Sequence, residues 1–396
     1  MAENTLLIMD DDLDISAFFR DVAESLDFRV RVLNDPVYFF DTVADVNPDL
    51  IILDLQMPNH DGIELLRGLA DHGCDAKLLI GSGLDSRVLQ TAEQLAATLG
   101  LKVVGSFCKP IELEALRLLL RTHSQQQRNL SADELAYAIE AGQLTVHYLP
   151  QATHKGSGRW VIEGAEALVR WEHEEHGLIY PNEFIGLAEE SGLIAGLTDY
   201  VFRAAMEQTR AWFNSGLCMT MALNLSAEFL SDLEFPDRMM ALVKEKGLDC
   251  SMVTLELTET SALVDPELAM DILARLRVKH INVCLDDFGV GRSSFTHLYR
   301  MPFNEVKLDN AFINDMRTSE DARQTVEGLI YLAHKLKMTI CAEGVEDKAT
   351  FRALEAMGCD KMQGHHFGPA LPARQIEQVV SNWNAQFPDT ELTESA

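Results

Sequence analysis

The sequence predicts two α/β domains: an N-terminal doubly wound sheet of five parallel strands, then a C-terminal (β/α)8 barrel. The first reason is that strand-like and helix-like segments alternate along the chain. The second is that charged or amide residues close one apolar run after another in the second half, as they do when a barrel builds a site on one face. The third is the length of 396 residues, which suits two domains because a barrel alone occupies about 250.

The first 120 residues predict five strand–helix units. The strand-like runs are TLLIM, FRVRVL, LIILD, KLLIGS and KVVGSFC, and each precedes a segment with helical spacing of its apolar residues. Five strands and five helices in this length fit an open sheet with helices on both faces.

A polar segment, HSQQQRN, separates the two halves and has no apolar periodicity. The segment SADELAYAIEAGQ after it has helical spacing, with a serine as N-cap, and begins the second domain. We therefore predict a first domain at 1–121, a linker or helix extension at 122–130, a second domain at 131–384 and a disordered tail at 385–396.

Composition restricts the partners. The chain has 62 acidic and 33 basic residues, a formal charge of −29, which repels polyanions, so we expect no nucleic acid polymer and no membrane as partner. No apolar run reaches the roughly 18 residues that span a bilayer, and the acidic N-terminus is unlike a signal peptide. Seven scattered cysteines without a CxxC pair indicate reduced thiols. These features predict a cytoplasmic protein.

Polar residues at four predicted strand ends of the first domain suit phosphoryl chemistry. They are Asp10 and Asp11, Asp54, Ser82, and Lys109. Clustered carboxylates bind Mg²⁺. A metal beside Asp54 would neutralise an incoming phosphoryl group, Lys109 would pair with its oxygens, and Ser82 could hydrogen-bond to it.

The motifs IMDDD, LDLQMPNHDG, IGSG and FCKP occur in the order found in the receiver domains of two-component response regulators, which this stretch resembles. The resemblance implies a flavodoxin-like fold and phosphorylation of Asp54 by a cognate sensor histidine kinase. It also implies one Mg²⁺, bound directly by Asp11 with help from Asp10. One departure is Ser106, which stands where the family usually has a switching aromatic, and Ser82 replaces a common threonine. We therefore expect phosphorylation to be retained and the usual hydroxyl–aromatic coupling to be altered.

The second domain presents oxygen donors suited to Mg²⁺ or Mn²⁺. They are Glu166, Asn224, Glu256, Asp286 and Asp287. In a regular strand Asp287 would face away from Asp286, but at a strand end it could turn towards a second metal. Two metals can generate hydroxide and stabilise an in-line phosphoryl displacement. Lys307 could orient the water, and Glu343 is the best candidate to accept its proton.

The motifs EALVRW, LNLS, ELTET, DDFGVGRSS, KLD, EGVE and QG resemble those of the EAL-domain cyclic-di-GMP phosphodiesterases, with a TIM-like barrel. The resemblance implies hydrolysis of cyclic di-GMP to linear pGpG with two Mg²⁺ or Mn²⁺ ions. Glu166, Asn224, Glu256 and Asp286 would bind one ion, and Asp286 and Asp287 would engage the second. Lys307 and Glu343 would handle the water. The resemblance further implies substrate contacts or completion of the site by Arg170, Asp309, Glu346, Gln363 and Gly364, and tethering by Glu259 of the loop that holds Gly289 and Gly291.

One departure concerns the substrate side. The family's first strand usually ends in YQP, and here Leu149 stands in the glutamine position, which predicts reduced substrate affinity. Gln151, two residues on and on the same strand face, is a candidate to compensate.

Two other functions fit part of the pattern. One is a non-catalytic cyclic-di-GMP receptor that signals through protein contacts, although such proteins typically lose metal ligands. The other is a barrel enzyme that acts on another phosphodiester. For the leading hypothesis, the intact Asp54 site joined to an intact catalytic domain predicts a rate modulated by phosphorylation. A homodimer or higher homo-oligomer is the default assembly.

Overall fold

The computed structural model describes residues 4–57, 60–83, 86–109, 111, 113, 116–117, 119–120, 130–258, 261, 265–288, 299–317 and 319–386. The chain divides into two compact units, residues 1–130 and 131–396. The predicted linker before residue 130 and the tail after residue 386 lie outside the described residues. Among the helices described, none combines the length and the apolar character needed to cross a membrane.

The first unit contains the predicted five-stranded parallel sheet, in the order β2-β1-β3-β6-β7. Its strands are β1 (Thr5–Met9), β2 (Arg29–Leu33), β3 (Leu50–Asp54), β6 (Lys77–Ser82) and β7 (Lys102–Cys108). A two-residue hairpin, β4 (Gln56–Met57) and β5 (His60–Asp61), follows β3. The sheet prediction is confirmed.

Helices cover both faces of this sheet. They are α1 (Leu13–Glu24), α2 (Phe39–Val46, after a 3₁₀ turn at Pro36–Tyr38), α3 (Gly62–Asp71) and α4 (Ser86–Thr98). Asp12 and Asp61 begin α1 and α3 by accepting hydrogen bonds from first-turn amides. The predicted fifth helix, after Lys109, falls largely on residues that are not described.

Alternate residues of the central strands enter two different cores. Leu7, Met9, Ile51 and Leu53 face one buried cluster, and their neighbours Leu6, Ile8, Leu50 and Ile52 face the other. A strand buried on both faces must be apolar at every position, which is why β1 and β3 are continuous apolar runs.

The second unit is a closed barrel of eight strands, as the sequence predicts. The barrel strands are β8 (Leu144–His154), β9 (Trp160–His173), β11 (Thr220–Asn224), β12 (Val253–Thr258), β13 (Asn282–Phe288), β14 (Glu305–Leu308), β15 (Thr339–Ala342) and β16 (Lys361–Gln363). Two short strands, β10 (Gly177–Ile179) and β17 (Leu371–Pro372), pair with β9 and β8.

One barrel strand has a direction that the alternation of strands and helices does not predict. β8 is antiparallel to both of its neighbours, β9 and β16. The reason is the short connection from His154 to Trp160, where Gly156, Ser157 and Gly158 all have positive φ. Such a turn joins antiparallel strands, whereas a parallel pair needs a crossover of a dozen or more residues.

The helices of the second unit surround the barrel or connect its strands. They are α5 (Ala132–Ala141), α6 (Pro181–Glu190), α7 (Ile194–Asn214), α8 (Phe235–Glu245), α9 (Pro266–Val278), α10 (Asn310–Asp315), α11 (Glu320–Lys335), α12 (Lys348–Ala356) and α13 (Ala373–Asn384), with 3₁₀ turns at Ala227–Ser231 and Cys250–Met252. Ser131 caps α5 in a reciprocal capping box with Glu134, so the predicted start of this helix is confirmed.

Candidate active site

Seven predicted side chains meet inside the barrel because neighbouring parallel strands carry them in their C-terminal parts or shortly after, with a stepped register between strands. In the register, Asn224 lies opposite Glu256, and Thr258 lies opposite Asp286. Glu166 lies within the long strand β9, Lys307 lies in β14, Glu343 follows β15, and Gln363 ends β16. β9 continues past Glu166 to His173 because β10 pairs with its far end.

Lys307 is the centre of this cluster. Its ammonium lies 2.6 Å from Glu343 Oε1, 3.0 Å from Glu166 Oε2, 3.0 Å from Glu256 Oε2 and 3.5 Å from Asp286 Oδ1. The Lys307 side chain is only 1% exposed. One buried cation therefore contacts four carboxylates, which leaves the site with an excess of negative charge.

Three amide side chains complete the cluster. Asn224 Nδ2 donates to Glu166 Oε1 at 3.1 Å. Gln363 Nε2 donates to Glu166 Oε2 at 2.9 Å and to Glu343 Oε1 at 2.7 Å. Gln151 Nε2 in turn donates to Gln363 Oε1 at 2.8 Å. Gln151 is thus buried beneath the site and contacts Gln363, a placement that the sequence does not predict.

The two consecutive aspartates lie on the same side of their strand. The pairing of β13 with β14 is irregular between Leu285 and Phe288, and Asp287 has φ 53°. This turn brings carboxylate oxygens of Asp286, Asp287 and Glu343 within 4.8 Å of one another. The distortion removes the alternation that would otherwise separate Asp286 from Asp287.

The crowding of carboxylates shows in their pKa values. Burial, followed by repulsion from Asp286 and Glu166, raises the pKa of Glu343 to about 7 despite the attraction of Lys307. Burial also raises the pKa of Glu256 well above its ordinary value. For Glu166, burial favours the neutral acid, but Lys307 and the hydrogen bonds from Gln363 and Asn224 outweigh it and lower the pKa.

The donor set fits a divalent cation. Oε1 of Glu256 is buried and receives no hydrogen bond from any described residue, so one hard oxygen faces the cluster without a partner. Acid and amide oxygens are the ligands that Mg²⁺ and Mn²⁺ prefer. Burial, and after it repulsion between the carboxylates, raises the pKa values of Glu256, Asp287 and Glu343, and an added cation would offset both causes.

A cavity of about 280 Å³ opens beside the cluster. Leu149 and Leu168 form an apolar part of its wall, whereas Asn310, Glu346 and His365 supply polar groups. His365 Nδ1 lies 2.9 Å from Glu346 Oε2. Leu149 therefore occupies the predicted place, while Asn310 and His365 are lining residues that sequence reasoning missed.

Arg170 lies four residues after Glu166 in the same strand, so both belong to one strand face. Its guanidinium stacks over the Tyr180 ring at 5.0 Å, and its buried Nε has no hydrogen-bond partner among the described residues. The Arg170 side chain is buried, and its Nη1 donates to the Val169 carbonyl oxygen at 2.8 Å.

The remaining predicted residues have varied surroundings. Asp309 accepts a hydrogen bond from the Ala311 amide and so caps α10. Gly364 has φ 145°, and a Cβ atom there would lie 2.4 Å from the Val345 nitrogen, so only glycine fits beside Gln363. Glu259, Gly289 and Gly291 lie outside the described residues.

The first unit brings together its own predicted acids at the ends of its strands. Lys109 Nζ lies 2.6 Å from Asp10 Oδ2 and 2.7 Å from Asp54 Oδ2. Oxygens of Asp10, Asp11 and Asp54 lie within 4.8 Å of one another. Burial raises the pKa of Asp10, although Lys109 opposes this shift. Ser82 is buried at the end of β6.

The aromatic ring near this site points into the core. Phe107 packs edge-on against Phe19, with ring centroids 5.5 Å apart. A Cβ atom on Gly81 would lie 2.8 Å from the Phe107 ring, so this ring fills the space beside the strand that carries Ser82. Ser106 has no aromatic ring, and the Phe107 ring is packed in the core against Phe19.

Family models match both parts of the chain. The model of the EAL domain matches residues 132–370, and the model of the response regulator receiver domain matches residues 6–121. The chain belongs to the EAL domain family. It carries a receiver domain before the EAL domain.

Two curated relatives come from Pseudomonas aeruginosa. The bifunctional diguanylate cyclase/cyclic di-GMP phosphodiesterase MucR is 36% identical over 263 residues, which cover 66% of this chain and 38% of MucR. The cyclic di-GMP phosphodiesterase RocR is 29% identical over 344 residues, which cover 84% of this chain and 87% of RocR. This EAL protein therefore spans most of RocR and less than half of MucR.

A solved structure, the PaMucR phosphodiesterase in complex with c-di-GMP, matches with a TM-score of 0.57 and 36% identity. The match covers 62% of this chain and 98% of that one. The similarity extends over nearly the whole of a domain that was solved with this nucleotide bound.

Proposed function

We propose that this EAL protein is a response regulator that hydrolyses cyclic di-GMP to linear pGpG, at a rate modulated by phosphorylation of Asp54. The observation that carries the proposal is the cluster of four carboxylates around Lys307, which borders a cavity large enough to admit part of a nucleotide. The phosphodiesterase relatives RocR and MucR support the choice of substrate.

We further propose that the barrel holds two Mg²⁺ or Mn²⁺ ions. Glu166, Asn224, Glu256 and Asp286 would hold one, and Asp286 with Asp287 would engage the second. When bound, such ions neutralise charge on a phosphate and make a water molecule more acidic. The unpartnered Glu256 Oε1 and the joined oxygens of Asp286 and Asp287 support this assignment.

Glu343 is the proposed proton acceptor. Burial, followed by repulsion from Asp286 and Glu166, raises the pKa of Glu343, and a carboxylate with a raised pKa is a stronger base than an exposed glutamate. Lys307, 2.6 Å from Glu343 Oε1, holds this carboxylate in place and adds positive charge beside the reacting phosphate.

The substrate contacts follow from the cavity and its rim. Arg170 is the cation that would pair with a substrate phosphate, since its Nε is unpartnered among the described residues. Glu346, Gln363 and Gly364, which line the cavity, would meet the guanine or complete the site together with Asp309, and Leu149 would offer only apolar contact.

Glu166→Ala tests the catalytic proposal. We expect turnover of cyclic di-GMP to fall at least about 100-fold, since the variant loses a group that contacts Lys307, Asn224 and Gln363 together. The matched control is Glu163→Ala in the same strand, where the lost partner is Lys155 at the surface. Turnover retained in Glu166→Ala would overturn the assignment, and tight nucleotide binding by a wild-type chain without hydrolysis would favour the receptor function.

The regulatory proposal rests on Asp54, which is buried beside Lys109, Asp10 and Asp11 in the arrangement that accepts a phosphoryl group. One Mg²⁺ would occupy this site, and a sensor histidine kinase would be the donor. We expect beryllofluoride, a phosphate mimic, to change the rate of the wild type and to leave Asp54→Ala unaffected. Asp75→Ala, which removes an exposed partner of Lys102, is the control. Equal rates with and without the mimic in the wild type would remove the claim.

We also propose a cytoplasmic location and a homodimer or higher homo-oligomer. Light scattering of the purified chain measures the assembly, and a monomer at working concentration would refute that part.

A further inference from the structure

We propose that Gln151 is a positioning residue, which orients Gln363 and thereby holds Glu166 and Glu343 in their working geometry. The inference rests on the proposed function and assigns a role to a side chain of β8, the one antiparallel barrel strand. Gln151 is not among the residues that line the cavity, and its side chain contacts the site through Gln363.

The argument begins with the side chain of Gln363, which is 3% exposed. An amide has one end that donates and one that accepts, and the two ends have nearly the same shape. In this structure the donor end faces two carboxylates, Glu166 Oε2 at 2.9 Å and Glu343 Oε1 at 2.7 Å. If the amide turned over, its oxygen would face both carboxylates, and two buried acceptors would each lose a donor.

Gln151 supports this orientation from the other end of the amide. The two carboxylates accept from Gln363 Nε2, and Gln151 Nε2 donates to Gln363 Oε1 at 2.8 Å, so both ends of the Gln363 amide are held by hydrogen bonds. The pairing is direct because Gln151 and Gln363 are opposite each other in the antiparallel register of β8 and β16. Gln151 is itself 3% exposed, so water does not compete for this bond.

The barrel is built to accommodate this side chain. Gln151 lies opposite Gly164 in the pairing of β8 with β9. A Cβ atom on Gly164 would lie 3.2 Å from Gln151 Oε1 and 2.7 Å from Thr220 Oγ1, so a larger residue there would crowd both groups. The Gln151 amide is therefore buried in a space that fits it, and it has a defined hydrogen-bond partner in Gln363.

Gln363 and Lys307 contact the same two oxygens, Glu166 Oε2 and Glu343 Oε1. Each of these oxygens therefore receives two donors, one charged and one neutral. Without the amide donor, Glu343 is held by Lys307, and Glu166 is held by Lys307 and Asn224, which loosens the site without removing any group that touches the substrate.

The test uses the full chain with Gln151→Met, which keeps the length and removes the donor, and Gln151→Asn, which keeps an amide one methylene too short. The readouts are kcat and KM for cyclic di-GMP in Mn²⁺, the affinity for Mn²⁺ alone by calorimetry, and the thermal midpoint. For both variants we expect kcat and Mn²⁺ affinity to fall about 10-fold, as is typical of residues that support metal ligands, with KM changed less than about threefold. Gln143→Met is the control, since it removes one glutamine bond, to Trp171, elsewhere in this unit.

A double-variant cycle separates positioning from general loss of structure. If Gln151 acts through Gln363, Gln151→Met should cause no further loss in a Gln363→Met chain. Losses that multiply in the double variant, or wild-type values of kcat and Mn²⁺ affinity in Gln151→Met, overturn the inference. The inference is also overturned if Gln143→Met causes the same loss of kcat and Mn²⁺ affinity at the same fall in thermal midpoint. A wild type that binds Mn²⁺ but cleaves nothing would refute the proposed reaction. The double-variant cycle could still be measured by calorimetry, because Mn²⁺ binding does not require turnover.

Discussion

The receiver site and the barrel site use the same plan with different degrees of charge balance. Both place carboxylates at strand ends and join them by one lysine. Lys109 contacts two carboxylates and is 11% exposed, whereas Lys307 contacts four and is 1% exposed. The receiver site, where Asp10, Asp11 and Asp54 surround one lysine, carries the smaller excess of negative charge, and both aspartates at Lys109 are buried. The barrel site is short of positive charge, as suits a site that takes up cations.

Replacement of the barrel lysine should have the largest effect. In Lys307→Met, Glu166, Glu256 and Glu343 lose their shared cation, and breaking a buried ion pair costs about 3–5 kcal/mol. We expect the free energy of unfolding in metal-free buffer to fall by about that amount and turnover to fall about 100-fold or more. Tryptophan fluorescence in urea measures the first, because all four tryptophans lie in the barrel unit.

Lys361→Met is the matched control for that comparison. Lys361 lies 2.7 Å from Glu305 in another buried pair of the same barrel. It should lose comparable stability and keep the turnover of the molecules that remain folded. Equal loss of turnover in both variants would mean that Lys307 acts only on stability.

Divalent cations should raise the free energy of unfolding of the barrel unit. At a Mn²⁺ concentration 100 times its dissociation constant, linkage predicts a gain of about 2.7 kcal/mol in the free energy of unfolding for each ion bound. Urea unfolding with Mn²⁺ or with sodium chloride of equal ionic strength measures the gain. Glu256→Gln removes a proposed ligand and should reduce it. An unchanged gain in Glu256→Gln would contradict the assignment of that residue.

Replacement of the receiver lysine should have a smaller effect. Lys109→Met leaves Asp10 and Asp54 without their shared donor, and loss of one such buried partner costs about 1–3 kcal/mol. Hydrogen exchange of receiver peptides, followed by mass spectrometry, measures the local stability. The control Lys102→Met breaks an exposed pair with Asp75 and should cost less than about 1 kcal/mol. A loss in Lys109→Met as large as in Lys307→Met would contradict the comparison.

The smallest effect concerns the substrate. Leu149→Gln adds a polar group to the cavity wall, and one hydrogen bond is worth about 1 kcal/mol, so KM should fall about fivefold. Steady-state kinetics measure it. Leu168→Gln, a second substitution in the same wall, is the control that shows whether any added glutamine has this effect.

Much of each site could be predicted because the ends of strands can be recognised in the sequence. Asp10, Asp54 and Lys109 each follow or end an apolar run, and parallel strands must bring their carboxyl ends to one edge. The same argument united Asn224, Glu256 and Lys307, whereas Glu166 lies within the long strand β9 and not at its end. It failed to reveal the bond between Gln151 and Gln363, because these residues are 212 positions apart and β8 runs opposite to the other barrel strands.

The sequence by itself determined the two fold classes, the family and the residues that carry the chemistry, since apolar periodicity and ordered motifs are local properties of the chain. Only the tertiary structure decided how those residues share charge and hydrogen bonds. The irregular pairing at Asp287, the four carboxylates around Lys307 and the support of Gln363 by Gln151 depend on register and closure of the barrel. Register and closure arise from contacts between distant strands, and no single segment of sequence specifies them.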